Sequence, residues 1–234
     1  MSKRYAQAAA KVNPKTSYAL PQAVGLLHEL PPVKFDETVE LSIALNIDPK
    51  KTDQVVRGTV TLPHGTGKTR RVAVFCKGED EGRAREAGAD AVGAADLIAK
   101  VSGGWMDFDV AVATPELMRD VSRLGKILGP RGLMPNPRAG TVTDDVAKAI
   151  KELKGGKVEF KMDKLANIHF VIGKRSFNAQ QLVENGQTAL EAIVRARPST
   201  LKGRLIKHLA LSSTMSPGIP VKTEGLEAET AAEE

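Results

Sequence analysis

Aromatic residues are scarce: Phe, Trp and Tyr make up 4% of the 234 residues. Proteins that stack successive unpaired bases on ring platforms need more rings than this. Cysteine is nearly absent too, with Cys76 alone. A single cysteine rules out a disulfide framework within the chain and fits a reducing compartment. Cys76 closes the apolar run that begins at Val72, so it reads as a small core residue rather than a nucleophile. No apolar run approaches the roughly 18 residues of a membrane span. Met1 to Val12 also lacks the apolar block of a signal peptide. The expectation is a soluble cytoplasmic protein that needs no membrane.

Catalytic and metal-binding material is equally thin. His28, His64, His169 and His208 fall on different elements, without a Cys or His partner at ligand spacing. No Ser, His and Asp set assembles without arbitrary choice, and Asp144 with Asp145 reads as a charge pair at a helix start. No metal, no cofactor and no enzymatic activity are expected. One string does imitate a nucleotide site: Gly65-Thr66-Gly67-Lys68-Thr69 ends like a phosphate-binding loop. The full motif needs a glycine where Leu62 stands, and a helix directly after the loop. An apolar strand follows instead, so the helix N-terminus that would hold phosphate is missing. The string reads as an interdomain loop.

Positive charge is present in excess. The chain has 34 basic and 28 acidic residues. Five of the acids and none of the bases lie in the last eleven residues, Glu224 to Glu234. Without that segment the balance is 34 against 23, a net of +11. A basic body suits polyanionic partners, because Lys and Arg displace counterions from phosphates. Charge alone separates such a binder poorly from an ordinary basic protein.

The hydrophobic pattern changes twice along the chain. The first 15 residues are basic and polar, as in an arm, and residues 20–30 have helical spacing with Pro21 at the start. Val39, Leu41, Ile43, Leu45 and Ile47 alternate with polar residues, and Val56 to Leu62 alternates similarly. These are strands with one polar face. Then Arg71 to Cys76 and Phe108 to Ala113 are short strands that are nearly all apolar. Helical stretches separate or follow them, near Glu81 to Ala87, Asp96 to Val101 and Pro115 to Leu128. That is the pattern of βαβ units around a parallel sheet. Beyond Gly155-Gly156 alternation returns in Val158 to Met162 and Ile168 to Ile172. A helix follows over Ala179 to Arg195, capped by Asn178, and then a strand from Arg204 to Ser212. The expected architecture is a split α+β domain, residues 1–67 and 158–222, with an inserted three-layer Rossmann-like α/β domain, residues 68–157. Glycine-rich crossings near 63–70 and 154–158 would form a hinge, and residues 223–234 read as a disordered acidic tail.

Several strand-end strings could build an RNA surface. Lys34, Phe35 and Thr38 enter the first alternating strand. Lys161, Asp163 and Lys164 end another, and His169 lies on the next. Ser212, Thr214, Met215 and Ser216 end the last. Were these ends to converge, Lys would meet phosphates, hydroxyls would approach ribose 2′-OH groups, and Phe35 or Met215 would stack on an unpaired base. Each string is equally readable as an ordinary turn. The Gly129 to Pro137 loop, stiffened by three prolines, is either a preformed contact surface or simply rigid.

The chain resembles the bacterial ribosomal L-one family. The resemblance rests on Lys34 to Glu40, Val56 to Val60, Leu62 to Lys68, Asp107 to Asp109, Ala113 to Pro115, Ile127 to Pro137, Ile172 to Lys174 and Thr214-Met215. It covers about residues 3 to 222, and the Gly129 to Pro137 string is long and compositionally odd. The resemblance implies a two-domain protein whose split domain binds ribosomal RNA at the mobile stalk of the large subunit. It further implies contact with exit-site tRNA, and repression of its own operon through a messenger site that mimics the ribosomal one. It implies a monomer away from the ribosome. Carried over by motif, the RNA contacts are Phe35, Thr38, Glu40, Asp163, Lys164, His169, Thr214 and Met215, with Ser212 nearby. One position departs: Ser216 stands where the family carries glycine, and its Cβ would block or shift a close backbone approach. The rival readings are a nucleotide-dependent enzyme built on the middle domain and a free-standing messenger-binding repressor.

Overall fold

The computed structural model describes residues 2–201 and 203–223; the acidic tail from residue 224 onward lies outside them. The protein is a mixed helix-and-sheet structure that divides into two compact units. One comprises Met1–Gly67 with Val158–Glu234, the other Lys68–Lys157.

The first unit opens with helix α1, Lys3–Lys11, within the segment that reads as a basic, polar arm. Ser2 caps it by accepting the Tyr5 N–H, and Ala8 is fully buried. The alanines of this segment favour a helix and leave the basic residues to solvent. Helix α2 spans Leu20–Glu29, with Pro21 in its first turn and Ala23, Val24 and Leu27 buried. The alternating segment becomes β1, Thr38–Leu45. The next strand, β2, Arg57–Thr61, is shorter than expected and largely uncovered.

The second unit is built on β3 (Val72–Phe75), α3 (Glu79–Glu86), β4 (Ala91–Gly93), α4 (Ala95–Ser102) and β5 (Val110–Ala113). Its sheet runs β4-β3-β5, all parallel. Ala73 and Phe75 bury on one side against Leu97, Val101, Leu117 and Leu128. Val72 and Val74 bury on the other against Ala84 and Ile150. The expected single helix over Pro115 to Leu128 is instead broken. Short 3-10 turns at Pro115–Leu117 and Ser122–Leu124 alternate with α5 (Met118–Val121) and α6 (Gly125–Leu128). Leu117 and Leu124 take ψ of −10° and 0°, which leaves the α ladder and tightens the turn. This keeps Leu117, Val121, Leu124 and Leu128 in one core. Helix α7, Val146–Lys154, is capped by Asp145, which accepts the Lys148 N–H.

Cys76 lies beneath this sheet, fully buried. Burial pushes its thiol up to about 11, with Glu81 and Asp80 adding to the shift. Alkylation of the folded protein should therefore run roughly a hundredfold slower than that of the urea-unfolded chain. Equal rates in the two states would place the thiol at the surface.

The chain returns through β6 (Lys157–Lys161), which pairs with β2, then β7 (Asn167–Lys174), α8 (Ala179–Arg195), β8 (Ile206–Ser213) and β9 (Ile219–Val221). The main sheet has the order β7-β1-β8-β9, every pair antiparallel. Helices α2 and α8 pack on one face, where Leu27, Leu182 and Ile193 meet Leu41, Ile43, Phe170 and Leu211 in a single core. Strand period then decides the rest: each strand sends alternate residues to the other face.

Candidate nucleic-acid interface

Among the described residues no helix packs on that other face. Thr38, Glu40, Ser42 and Ala44 of β1 lie on it, each only partly buried. Register sets Glu40 between Val171 and Ser212, Ser42 between His169 and Ala210, and Ala44 between Asn167 and His208. The Ser42 hydroxyl meets His169 Nδ1 at 3.2 Å. The face is thus a lattice of hydroxyls, one carboxylate, imidazoles and small side chains, with no aromatic residue among these positions.

One end of the face is held by a buried carboxylate. Glu37 is completely buried. Its Oε2 accepts from Arg175 at 2.6 Å, and its Oε1 accepts from the Ser213 hydroxyl at 3.1 Å and the Met215 N–H at 2.9 Å. Arg175 also donates to the carbonyls of Leu30 and Pro31, and its own N–H donates to the Glu37 carbonyl. Around this knot, Thr38 N–H donates to Thr214 Oγ1 at 3.1 Å, Thr214 N–H donates back to the Thr38 carbonyl, and Lys174 Nζ reaches Thr38 Oγ1 at 2.9 Å. Arg4 donates to the Met215 carbonyl at 2.6 Å. Phe35 and Met215 flank this corner with about half their surfaces in solvent, 54% and 48%. Apolar side chains left this exposed at a braced corner are suited to stacking or packing on a partner. Lys34 is exposed beside them.

The Ser216 hydroxyl is engaged within its own turn. It accepts the Ser213 N–H at 2.8 Å, and the residue's own N–H donates to the Ser213 carbonyl. Its φ is not positive, so the side chain closes the turn without backbone strain.

Lys161, Asp163 and Lys164 are elsewhere. The turn they belong to adjoins the far end of β1, where Leu45 N–H donates to the Ala166 carbonyl. Thr38 and Leu45 are the first and last of the eight residues of β1, roughly 20–25 Å apart at the rise of an antiparallel strand. The expectation that these strand ends meet at one place is therefore corrected. Register fixes two clusters at opposite ends, joined by the open face. Asp163 is itself occupied: Oδ1 accepts the N–H groups of Leu165 and Asn167 at 2.8 and 2.7 Å. The Asn167 N–H above all holds its carboxyl below the usual range, helped by Leu165, the Asn167 amide and the His169 charge against the opposing effect of burial. Asp163 shapes the turn, and exposed Lys164 and Leu165 form its tip. Leu165, 79% exposed, escaped the sequence reading, as did Glu37. Neither carries a local signal: one is a lone leucine between Lys164 and Ala166, the other pairs with an arginine 138 positions away.

The loop resembling a phosphate site has a different job. Gly65 and Gly67 adopt φ of 65° and 72°. A Cβ on Gly67 would come within 2.8 Å of Lys174 Cγ. Buried Asn185 accepts the His64 N–H and donates to the carbonyls of Gly65 and Ile172, so the loop is fastened to α8. The Gly129 to Pro137 loop is braced likewise: Leu133 N–H donates to the Leu128 carbonyl and Asn136 N–H to Thr141 Oγ1. Among the described residues no cluster of His, Cys, Asp or Glu is placed to hold a metal ion. Among the same residues no helix is long and apolar enough to cross a membrane.

Comparison with known proteins adds a second kind of observation. The model of the ribosomal protein L1p/L10e family matches residues 27–217. The large ribosomal subunit protein uL1 of Cutibacterium acnes is 57% identical over 220 residues, covering 94% of this chain and 95% of that protein. The proteins of the same name from Beutenbergia cavernae and Clavibacter michiganensis subsp. michiganensis are each 56% identical. They cover 99% and 96% of this chain and 98% and 99% of their own lengths.

Proposed function

Because the chain belongs to the ribosomal protein L1p/L10e family, we propose that it is a structural constituent of the large ribosomal subunit. Its open sheet face is the surface that binds folded large-subunit ribosomal RNA. The observation carrying this reading is the uncovered face itself: small hydroxyl-bearing side chains in register, ending on exposed Phe35 and Met215. Thr38, Ser42, Ala44, Ala210 and Ser212 let a sugar–phosphate backbone come close. Their hydroxyls donate to and accept from ribose 2′-OH groups, while Glu40 accepts from them or from base amino groups. With no Phe, Tyr or Trp on the face, recognition rests mainly on backbone shape, and stacking falls to the Phe35 and Met215 corner and the His169 and His208 imidazoles. Lys34, Lys161 and Lys164 supply phosphate contacts at the two ends.

On the ribosome the protein also assists release of exit-site tRNA, and the RNA-binding face that takes ribosomal RNA serves translational repression of the protein's own operon when it binds the messenger instead. One RNA surface with a tighter ribosomal target and a weaker messenger target accounts for both binding roles. The protein acts in the cytoplasm, on the ribosome, and is a monomer away from it. The parallel sheet with buried clusters on both sides supports reading residues 68–157 as an inserted Rossmann-like domain.

Footprinting on naked large-subunit RNA tests the proposal: a discrete protected structure supports it, and uniform protection along the RNA refutes it. Lys164→Glu should weaken binding to every tested RNA and lower the slope of log affinity against log salt by about one. A slope identical to that of the unaltered protein would remove Lys164 from the phosphate contacts.

A further inference from the structure

A second basic surface adjoins the sheet, away from the Phe35 corner. A groove of about 700 Å³ runs between the segment Pro14–Ser17 and strands β8 and β9. Leu209 and Val221 lie along it; Lys15, Lys207, His208 and Lys222 line it; none of its lining residues is acidic. Among the described residues no acid pairs with Lys15, Lys207 or Lys222. The walls are fixed in place: Tyr18 N–H donates to the Pro220 carbonyl at 3.0 Å, and Lys222 N–H to the Tyr18 carbonyl at 2.8 Å. Thr223 itself lines the groove, and eleven residues with five glutamates and no base follow it.

We propose that this groove is the docking site of the chain's own acidic C-terminal segment, Glu224 to Glu234. Three observations select that occupant. Thr223 lines the groove and the segment follows it directly in sequence, so Glu224, Glu227 and Glu229 need no long loop to reach Lys15 and Lys207. Fully extended, its eleven residues span at most about 36–40 Å, which is enough to cross the sheet. The charges are complementary: five glutamates without a base in the segment, and basic side chains without an acid along the groove. Tethering raises the effective concentration of the segment to the millimolar range, while each exposed pair contributes little and is screened by salt. Docking is therefore reversible and ionic. His208 pairs across the sheet with Ala44, which pairs with Asn167 beside the Lys164 turn. The docked glutamates thus lie at the edge of the open face. On the reading that this face takes RNA, they compete with incoming phosphates.

The test uses the full chain and no RNA, so its outcome is independent of the RNA reading. Zero-length carbodiimide coupling is mapped by mass spectrometry at about 10 mM and about 1 M salt, where the Debye length falls from roughly 30 to 3 Å. Tail glutamates should couple to Lys15 and Lys207 at least several-fold more than to Lys126 and Lys148, and the preference should vanish at high salt. In a parallel spectrum, Glu→Gln at positions 224, 227, 229, 233 and 234 should shift the amide signals of Thr16, Lys207 and Ala210. Lys15→Gln with Lys207→Gln, two solvent-exposed substitutions, should abolish the coupling preference. Even coupling to all lysines overturns the proposal, as do unmoved groove amides. Coupling between isotopically mixed chains would show a second copy as the occupant and overturn it equally.

Discussion

Replacing Glu37 by alanine should cost about 3–5 kcal/mol of folding stability, measured as a lower denaturant midpoint with an unchanged slope. The carboxylate is fully buried and the Arg175 side chain nearly so, at 14% exposed. Deleting one partner leaves a guanidinium facing only the carbonyls of Leu30 and Pro31. It also strands the Ser213 hydroxyl and the Met215 N–H, and an unpaired buried donor costs about 1–3 kcal/mol in its own right. Removing both ionic partners should cost less than the sum of the separate losses, because the second substitution takes away a charge already without a counterion. A loss under about 1 kcal/mol for Glu37→Ala would mean that water reaches this carboxylate, and the corner would not be the rigid element described above. The same substitution should also weaken RNA binding under conditions where the variant remains folded, since Thr38, Thr214 and Met215 are positioned by this knot.

The second large effect is expected in affinity rather than stability. Phe35→Ala combined with Met215→Ala should weaken binding to a large-subunit RNA fragment by about 2 kcal/mol, roughly thirty-fold. Both side chains are half exposed, so truncation removes little core packing and the folded state should survive. A calorimetric titration reads the loss directly, and the thermal midpoint serves as the control. Affinity within a factor of two of the unaltered chain would show that neither side chain touches the RNA. The open face would then bind through hydroxyls and cations alone.

What is readable from the residues depends on how far apart the interacting partners lie. Val39 to Leu45 alternates with period two, and that is enough to give β1 and its polar face. Asn178 before an amphipathic stretch marks α8 at its observed limits, Ala179–Arg195. The apolar runs at Val72 to Cys76 and Val110 to Ala113 show that their strands are covered on both sides. Short or tertiary-driven elements escape. β9 has three residues with a proline in the middle, and it forms because Tyr18 and β8 hold it from both sides. α1 looks like a basic arm until its buried alanine is seen.

The candidate site follows the same rule. The residue types at Phe35, Thr38, Lys164 and Thr214 are visible locally, but their mutual distances are a matter of register between strands more than a hundred positions apart. Only pairing shows that Thr214 sits beside Thr38 while Lys164 lies at the other end of the sheet. The Glu37–Arg175 contact, separated by 138 positions, has no sequence signature at all. The Ser216 departure also needed coordinates: its hydroxyl takes over a turn-closing bond that glycine has no atom to make.

The place of β1 in its sheet has a consequence for biosynthesis. Both neighbours of this central strand, β7 and β8, come after the intervening unit. The first partner strand of β1 emerges about 120 residues after Leu45, some 6–25 s later at ordinary elongation rates. A nascent chain carrying β1 therefore emerges with two unsatisfied edges and an apolar face, while the parallel βαβ unit behind it can already collapse on itself. Until the last strands arrive, those edges and that face stay open, the condition under which nascent chains in general pair with one another or are held by chaperones.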